Sequence, residues 1–344
     1  MDQSELRYSR QHLFPFIGKK GQEKLKNSRI AIVGMGALGT ALANHMVRSG
    51  VGYVRIMDRD FVEYSNLQRQ MLYDEKDAKQ GLPKAIAAKE KLNAINSDVI
   101  VDAHVTDLTW KNAEKLLSDV DLILDGTDNF DVRYLVNDVA VKYGIPWIYG
   151  GAVSSRGMTF TIIPEKTPCF RCLFPEAPAP GTTQTCDTAG VIGPIIQVVA
   201  AYQATEALKL LVGDDEHLST SLRNFELWQN DYSEINVKNA RNEDCPTCGH
   251  HHYDYLDPND KSERVVSLCG RDTIQITPGL ETKLDLKKLA KTLQLVGRVE
   301  ETPFLLRFYV ESYKLTIFPD GRTLVQGTDD LIVAKNLFAK YIGG

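Results

Sequence analysis

An open α/β sheet, mostly parallel and covered by helices on both faces, followed by a smaller α/β domain, is what this 344-residue sequence predicts. Three observations predict it. Short apolar runs alternate with amphipathic stretches along most of the chain, the pattern of a wound parallel sheet. A glycine turn, "GMGALG", follows the first of those runs. Near residue 255 a polar stretch, "LDPNDKSER", separates a last segment with its own strands and helices.

The elements follow in order. "RIAIVG" (29–34) is a strand, "GMGALG" a turn, and "TALANHMVRSG" continues the helix that the turn opens. "YVRIMD" is the next strand and ends at Asp58. Gly34, Gly36 and Gly39 carry the GxGxxG spacing, which allows a tight turn and lets phosphates approach a helix N-terminus. "AIAAKEKLNAIN" is a helix, "VIVDAHV" a strand, "KNAEKLLSD" a helix and "VDLILDGTD" a strand. "VRYLVNDVAVKYG" is a helix and "IPWIYGGAV" a strand. The whole is a doubly wound, Rossmann-like sheet. Ligands on such sheets sit beyond the strand C-termini, so Gly36, Asp58 and Asp128 are expected to converge there.

"FPEAPAPGTTQTCDTAG" (174–190) is rich in Pro, Gly and Thr and reads as an exposed loop holding Cys186. "VIGPIIQVVAAYQATEALKLLVG" is a long apolar helix, either a core helix or a subunit interface. The expected domains are 1–255, a linker 256–264, and 265–344. The last has strands at "RDTIQIT", "LLRFYVE", "KLTIF" and "RTLVQG", with helices at "LDLKKLAKTLQL" and "LIVAKNLFAKYI". No internal repeat is present.

Composition narrows the function. The net charge of −5, with both signs mixed, gives no general attraction to nucleic acid or anionic membranes. No run approaches the ~20 apolar residues of a membrane helix, and the polar N-terminus lacks a signal-peptide core. A cytoplasmic protein is expected, in which cysteines serve as ligands or nucleophiles rather than disulfides.

Cys169 and Cys172 form one CxxC pair, Cys245 and Cys248 another. Four thiolates make a closed tetrahedral zinc site with no open position, hence a structural one. Two unrelated CxxC turns, one of them redox-active, are the alternative. His250, His251 and His252 are surplus ligands on a solvated loop.

GxGxxG followed by Asp58 fits either an NAD enzyme or an ATP site, since a carboxylate grips either ribose. The next segment discriminates. "DFVEYSNLQRQ" places Asn66, Arg69 and Gln70 just beyond Asp58, and "GLPK" supplies Lys84. Nicotinamide needs an apolar slot, whereas Arg69 and Lys84 would neutralise a triphosphate, with Asp128 as a partner for Mg²⁺.

Taken together and in this order, "RYSRQ", "GMGALG", "NLQRQ", "GLPK", "GTDN" and the paired CxxC motifs resemble the ThiF/MoeB/HesA family, bacterial relatives of ubiquitin-activating enzymes. The resemblance covers about residues 5–252. It implies adenylation, with Mg-ATP, of the C-terminal glycine of a ubiquitin-like sulfur carrier ending in Gly-Gly, in thiamin or molybdopterin synthesis. It implies that Asp58 holds the ribose and that Asn66, Arg69 and Lys84 contact phosphates. It places Asp128 near the α-phosphate and metal, and makes the four paired cysteines zinc ligands. Arg10 matches a family arginine that reaches the neighbouring subunit's site, so a homodimer is implied. In the thiamin branch a cysteine matching Cys186 links to the carrier during sulfur transfer; an incidental loop thiol is the alternative. Nothing carries over to Cys269. Gly343 and Gly344 are expected to end a helix rather than imitate a carrier tail. An NAD-dependent oxidoreductase and a non-catalytic carrier-binding scaffold remain as alternatives.

Overall fold

The computed structural model describes residues 3–177, 186–257, 264–268, 272–278, 284–302 and 304–343. Two compact units result: Met1–Cys186 with Gly190–Pro258, and Asp187–Ala189 with Asn259–Gly344.

Three helices open the first unit: α1 (Gln3–Arg7), α2 (Ser9–His12) and α3 (Gly18–Asn27). The winding then runs β1 (Arg29–Val33), α4 (Ala37–Ser49), β2 (Tyr53–Met57), α5 (Glu75–Gln80), α6 (Lys84–Ile95) and β3 (Ile100–His104). It continues through α7 (Ala113–Leu117), β4 (Leu122–Asp125), α8 (Phe130–Tyr143), β5 (Trp147–Val153) and β6 (Arg156–Ile162). Two short helices, α9 (Phe170–Leu173) and α10 (Cys186–Ala189), precede α11 (Gly193–Val212) and the hairpin β7 (Ser221–Glu226) and β8 (Asp231–Asn236).

The sheet order is β3-β2-β1-β4-β5-β6-β7-β8. Pairing is parallel from β3 to β5 and antiparallel from there to β8. Successive residues of a strand point to opposite faces, so both faces of the central strands must be covered. Ile30 and Ile32 pack under α4, α6 and α11; Ala31 and Val33 pack under α7 and α8. Because the chain winds outward from β1 to β3 and then returns to β4, the winding reverses between β1 and β4. Their C-terminal ends bound the crevice where such sheets bind ligands.

Two expectations need correcting. The segment 174–190 is not wholly irregular, since α10 forms one helical turn at its end. Residues 178–185, and the Cys186 side chain, lie outside those described. The claim that no run suits a membrane also fails. The 20-residue helix α11 contains an 18-residue window with a mean hydropathy of 1.3, long and apolar enough by length and composition. In the fold, however, α11 packs on α4, β5 and β6 and buries Gln203 and Glu206, which answers why it is apolar. Glu206 is held by Lys209 (2.7 Å) and Arg223 (3.4 Å).

The second unit contains β9 (Arg264–Leu268), β10 (Thr273–Thr277), α12 (Leu286–Leu293), β11 (Arg298–Glu301), β12 (Leu306–Val310), β13 (Tyr313–Ile317), β14 (Thr323–Gln326) and α13 (Leu331–Tyr341). Its sheet, β11-β12-β13-β14-β10-β9, is antiparallel throughout. Both helices contribute to one apolar cluster with Ile274, Phe308, Leu315 and Val325. Cys269 lies outside the described residues.

The motif "RYSRQ" straps the N-terminal helices to the first unit. Arg7 donates to the Ile95 carbonyl at 3.0 Å, and the Tyr8 hydroxyl accepts from Asn96 at 2.8 Å. The Tyr8 ring lies directly over Gly50, and Gln11 donates to the Ser49 carbonyl at 2.9 Å. Tyr8→Ala removes a half-buried ring and leaves the Asn96 amide short of an acceptor. It is expected to cost about 2 kcal/mol and to speed proteolysis of the first helices, measured by urea denaturation and limited digestion.

Candidate functional site

The β1–α4 turn is shaped by backbone contact. Gly34 has φ +87°, which only glycine adopts without strain. A Cβ at Gly39 would lie 1.8 Å from the Gly34 carbonyl oxygen, and one at Gly126 would lie 2.7 Å from the same atom. Gly36 differs: a Cβ there would meet nothing nearer than Gln70 Nε2, at 4.0 Å. Two of the three predicted glycines therefore let chain touch chain, and the third leaves open space. Gly36 is also the N-cap of α4, and no side chain caps that helix. The first amides of α4 thus point outward as anion donors.

Around this opening stand the predicted side chains. Asp58 Oδ2 accepts from the Met35 amide and Oδ1 from the Asp60 amide, each at 2.7 Å. Asp58 therefore braces the glycine turn itself, and a carboxylate still has lone pairs for a further donor. Burial pushes Asp58 above the usual carboxylate range, although the Lys84 cation and the two amides oppose it.

Lys84 opens α6 and is 6% exposed. A cation is unfavourable at a helix N-terminus and in a low-dielectric site. Here burial opposes the charge, but Asp60, Asp58 and Asp128 outweigh it and hold Lys84 above its ordinary value. Its Nζ lies 3.2 Å from Asp60 Oδ2. The Tyr73 hydroxyl, shared between the Met35 carbonyl (2.8 Å) and the Lys84 carbonyl (3.1 Å), ties the two helix starts together.

Gln70 is 4% exposed; its Oε1 is buried with no hydrogen-bond partner among the described residues, and its amide faces Gly36. Asn66 uses its side-chain oxygen to cap the turn, accepting from the Glu63 amide at 3.1 Å. Arg69 donates to the Ser65 carbonyl at 3.0 Å, which occupies one of its five N–H groups. Asp128 is exposed just beyond β4. Arg10 is also exposed and has no hydrogen bond or ion pair among the described residues, in contrast to its anchored neighbours Arg7, Tyr8 and Gln11.

The four paired cysteines form a second centre. Sγ separations are 3.8 Å (Cys169–Cys172), 3.6 Å (Cys169–Cys245) and 3.4 Å (Cys172–Cys248), and all four lie within 4.8 Å of one another. A tetrahedron with Zn–S bonds of about 2.3 Å has edges of about 3.8 Å, so the donor set fits zinc. A Cβ at Gly249 would lie 2.0 Å from the Glu243 carbonyl, so the second knuckle requires glycine there. Asp138 of α8 pins that knuckle, accepting from Thr247 Oγ1 (3.1 Å) and the Tyr255 amide (2.9 Å). His250, His251 and His252 do not join the cysteine cluster.

Sequence reading missed Asp60, Tyr73, Asp125 and Arg133. The signal for Asp60 was its place in "DRD" beside Asp58. For Asp125 it was the paired acids of "DGTD". Tyr73 and Arg133 act only through tertiary contacts.

A model of the ThiF family matches residues 8–247. The chain is similar to the sulfur carrier protein ThiS adenylyltransferase of Bacillus subtilis (strain 168), at 47% identity over 338 residues, 98% of this chain and 99% of that one. It is similar to the sulfur carrier protein adenylyltransferase of Thermus thermophilus, at 41% identity over 248 residues, 71% of this chain and 90% of that one. Among solved structures, E. coli MccB with ATP gives a TM-score of 0.62 at 25% identity, covering 71% of this chain and 74% of that one.

The glycines separate by role. Gly39→Ala is expected to cost about 2 kcal/mol or more of stability through backbone overlap, whereas Gly36→Ala should leave the melting temperature unchanged. Thermal denaturation of the two variants checks this.

Proposed function

The chain belongs to the ThiF family, and from that premise we propose that it is a sulfur-carrier adenylyltransferase. It joins AMP from ATP to the C-terminal glycine carboxylate of a ubiquitin-like sulfur carrier. One observation carries the reading: an open glycine turn at an uncapped helix N-terminus, beside a buried lysine kept charged by three carboxylates. A nicotinamide site has no use for such a cation, and a scaffold has no use for an open turn.

A carboxylate is a poor electrophile until it gains a good leaving group. The carrier carboxylate attacks the α-phosphorus, a P–O bond forms, and the bond to pyrophosphate breaks. Both reactants are anionic, so the protein must offset repulsion and stabilise the leaving charge. In this reading the α4 amides, Gln70, Asn66 and Arg69 receive the phosphates, and Asp58 accepts from the ribose. Lys84 exchanges part of its contact with Asp60 for pyrophosphate oxygen. Asp128 would hold Mg²⁺, which neutralises phosphate charge when bound. No side-chain nucleophile is needed for this step; positioning supplies the rate.

Cys169, Cys172, Cys245 and Cys248 hold a structural zinc. The protein acts as a homodimer in which Arg10, without a hydrogen bond or ion pair among the described residues, completes the neighbour's phosphate site. The ThiS-type carrier of thiamin synthesis is favoured, because the relative named for it matches both units, whereas the Thermus relative aligns over 71% of the chain. Cys186 then has the task of linking covalently to the carrier during sulfur transfer: its thiolate attacks the carbonyl of the carrier's acyl-adenylate, the C–S bond forms and AMP leaves. A cytoplasmic location follows from these substrates.

ATP–pyrophosphate exchange tests the activity. Exchange should appear only with a carrier ending in Gly-Gly, and faster with a ThiS-like than a MoaD-like one. Lys84→Ala should lower its rate by about 10²-fold or more. Absence of exchange with both carriers, in protein that binds ATP, would sink the reading. For the metal, elemental analysis should find one zinc per chain. Cys248→Ser should lose the zinc and lower the melting temperature, without changing ATP affinity of the protein that remains folded.

A further inference from the structure

Arg133 is a buried cation that the mechanism above does not use. It is 5% exposed and projects from α8 beneath the turn that follows β4. Its Nε donates to Asp125 Oδ2 at 2.9 Å. Its Nη2 donates to the Thr127 carbonyl at 2.7 Å and to the Gly150 carbonyl of β5 at 3.0 Å. The rings of Phe130 and Tyr149 flank the guanidinium at 5.3 and 5.0 Å.

Asp125 is equally enclosed, at 2% exposure. Its Oδ1 accepts from both the amide and the hydroxyl of Thr127, each at 2.8 Å. Gln203 of α11 donates to the Asp125 carbonyl at 3.0 Å and to the Ile148 carbonyl at 3.1 Å. The bonds thus join the β4–α8 turn to β5 and to α11. That turn carries Asp128, and its Gly126 rests on Gly34.

Stability alone does not explain the pair, because apolar residues of similar volume commonly serve as well as a buried ion pair. What the pair supplies is geometry. A planar guanidinium holds the carboxylate from Nε and both carbonyls, one in the turn and one on β5, from Nη2, in a fixed fork, whereas an ammonium offers all its donors from one rotatable point. Asp128 lies within electrostatic reach of both Arg133 and Lys84, so the turn's placement sets one carboxylate against two cations.

We propose that Arg133 is a positioning residue for the adenylation step: through Asp125, Thr127 and Gly150 it fixes the turn that presents Asp128, and so governs turnover rather than nucleotide binding. The proposal rests on the adenylating reading of the site.

Arg133→Lys in the full-length, zinc-loaded protein is the test. Lysine retains the charge beside Asp125 but has one nitrogen in place of the rigid Nε/Nη2 fork, so it cannot hold the carboxylate and both carbonyls in the same arrangement. Carrier-dependent exchange should fall in kcat by about tenfold or more, with the ATP Kd changed by less than about twofold and half-saturation by Mg²⁺ shifted upward. Thr127→Val, which removes only the hydroxyl bond to Asp125, should show the same pattern more weakly and guards against a folding failure of the first variant. Unchanged kcat per folded molecule in both variants would overturn the proposal, as would a rise in ATP KM at constant kcat. Absence of exchange in the unsubstituted protein would overturn the adenylating reading and this proposal with it, so the two failures are distinguishable.

Discussion

The carbonyl oxygen of Gly34 is the contact on which the larger unit depends. The β1–α4 turn folds back until Gly39 rests on that oxygen, and the β4–α8 turn brings Gly126 against it from the other half of the winding. No side chain fits at either contact. Two halves of the sheet that diverge in sequence are thereby closed onto one point at the strand C-termini. What remains uncovered beside it is Gly36 and the uncapped start of α4. The opening is a consequence of tight packing on both sides of it.

Charge is then arranged around the opening at a cost that packing alone would not incur. Lys84 sits at a helix start, where the dipole disfavours it, and is retained by carboxylates from two strand ends. Arg133 lies a layer below, fully enclosed and paired with Asp125. Lys84 held this way is already desolvated and oriented. Under the proposed function it would need little reorganisation when an anionic substrate arrives, which is the condition for strong electrostatic stabilisation, while Arg133 holds the turn. The cysteine cluster lies outside this arrangement. It joins two distant segments, and Asp138 ties the second of them to α8, the helix that also carries Arg133.

The legible parts of the fold are those where periodicity is strong. Strands β1 to β5 and helices α4, α6, α8 and α11 are visible as apolar runs, because both faces of the central sheet are buried. The β7–β8 hairpin is not legible in the sequence because β8 is exposed along its whole length and carries no alternation. β9 and β11 were missed in the second unit, and α1 to α3 before the first strand, all short or polar segments whose form comes from their neighbours. The apolar character of α11 is legible in the sequence, and by length and composition the helix also suits a membrane span. Length and hydropathy do not distinguish a lipid environment from a protein core.

Sequence alone determined the chemistry of this protein: the glycine spacing, the acid at the end of β2, the cation of "GLPK" and four paired thiols are local, ordered along the chain, and jointly specific to a family. Tertiary structure decided what each of those groups does. Gly34 and Gly39 serve the backbone while Gly36 serves an opening. Asp58 braces a turn as well as facing the crevice. Lys84 depends on Asp60, and Arg133 belongs to the site at all only because α8 carries it beneath β4. Residue type sets the reactions a group can support, whereas pKa, reach and alignment depend on neighbours distant in sequence, and only the folded chain brings those neighbours within a few ångströms.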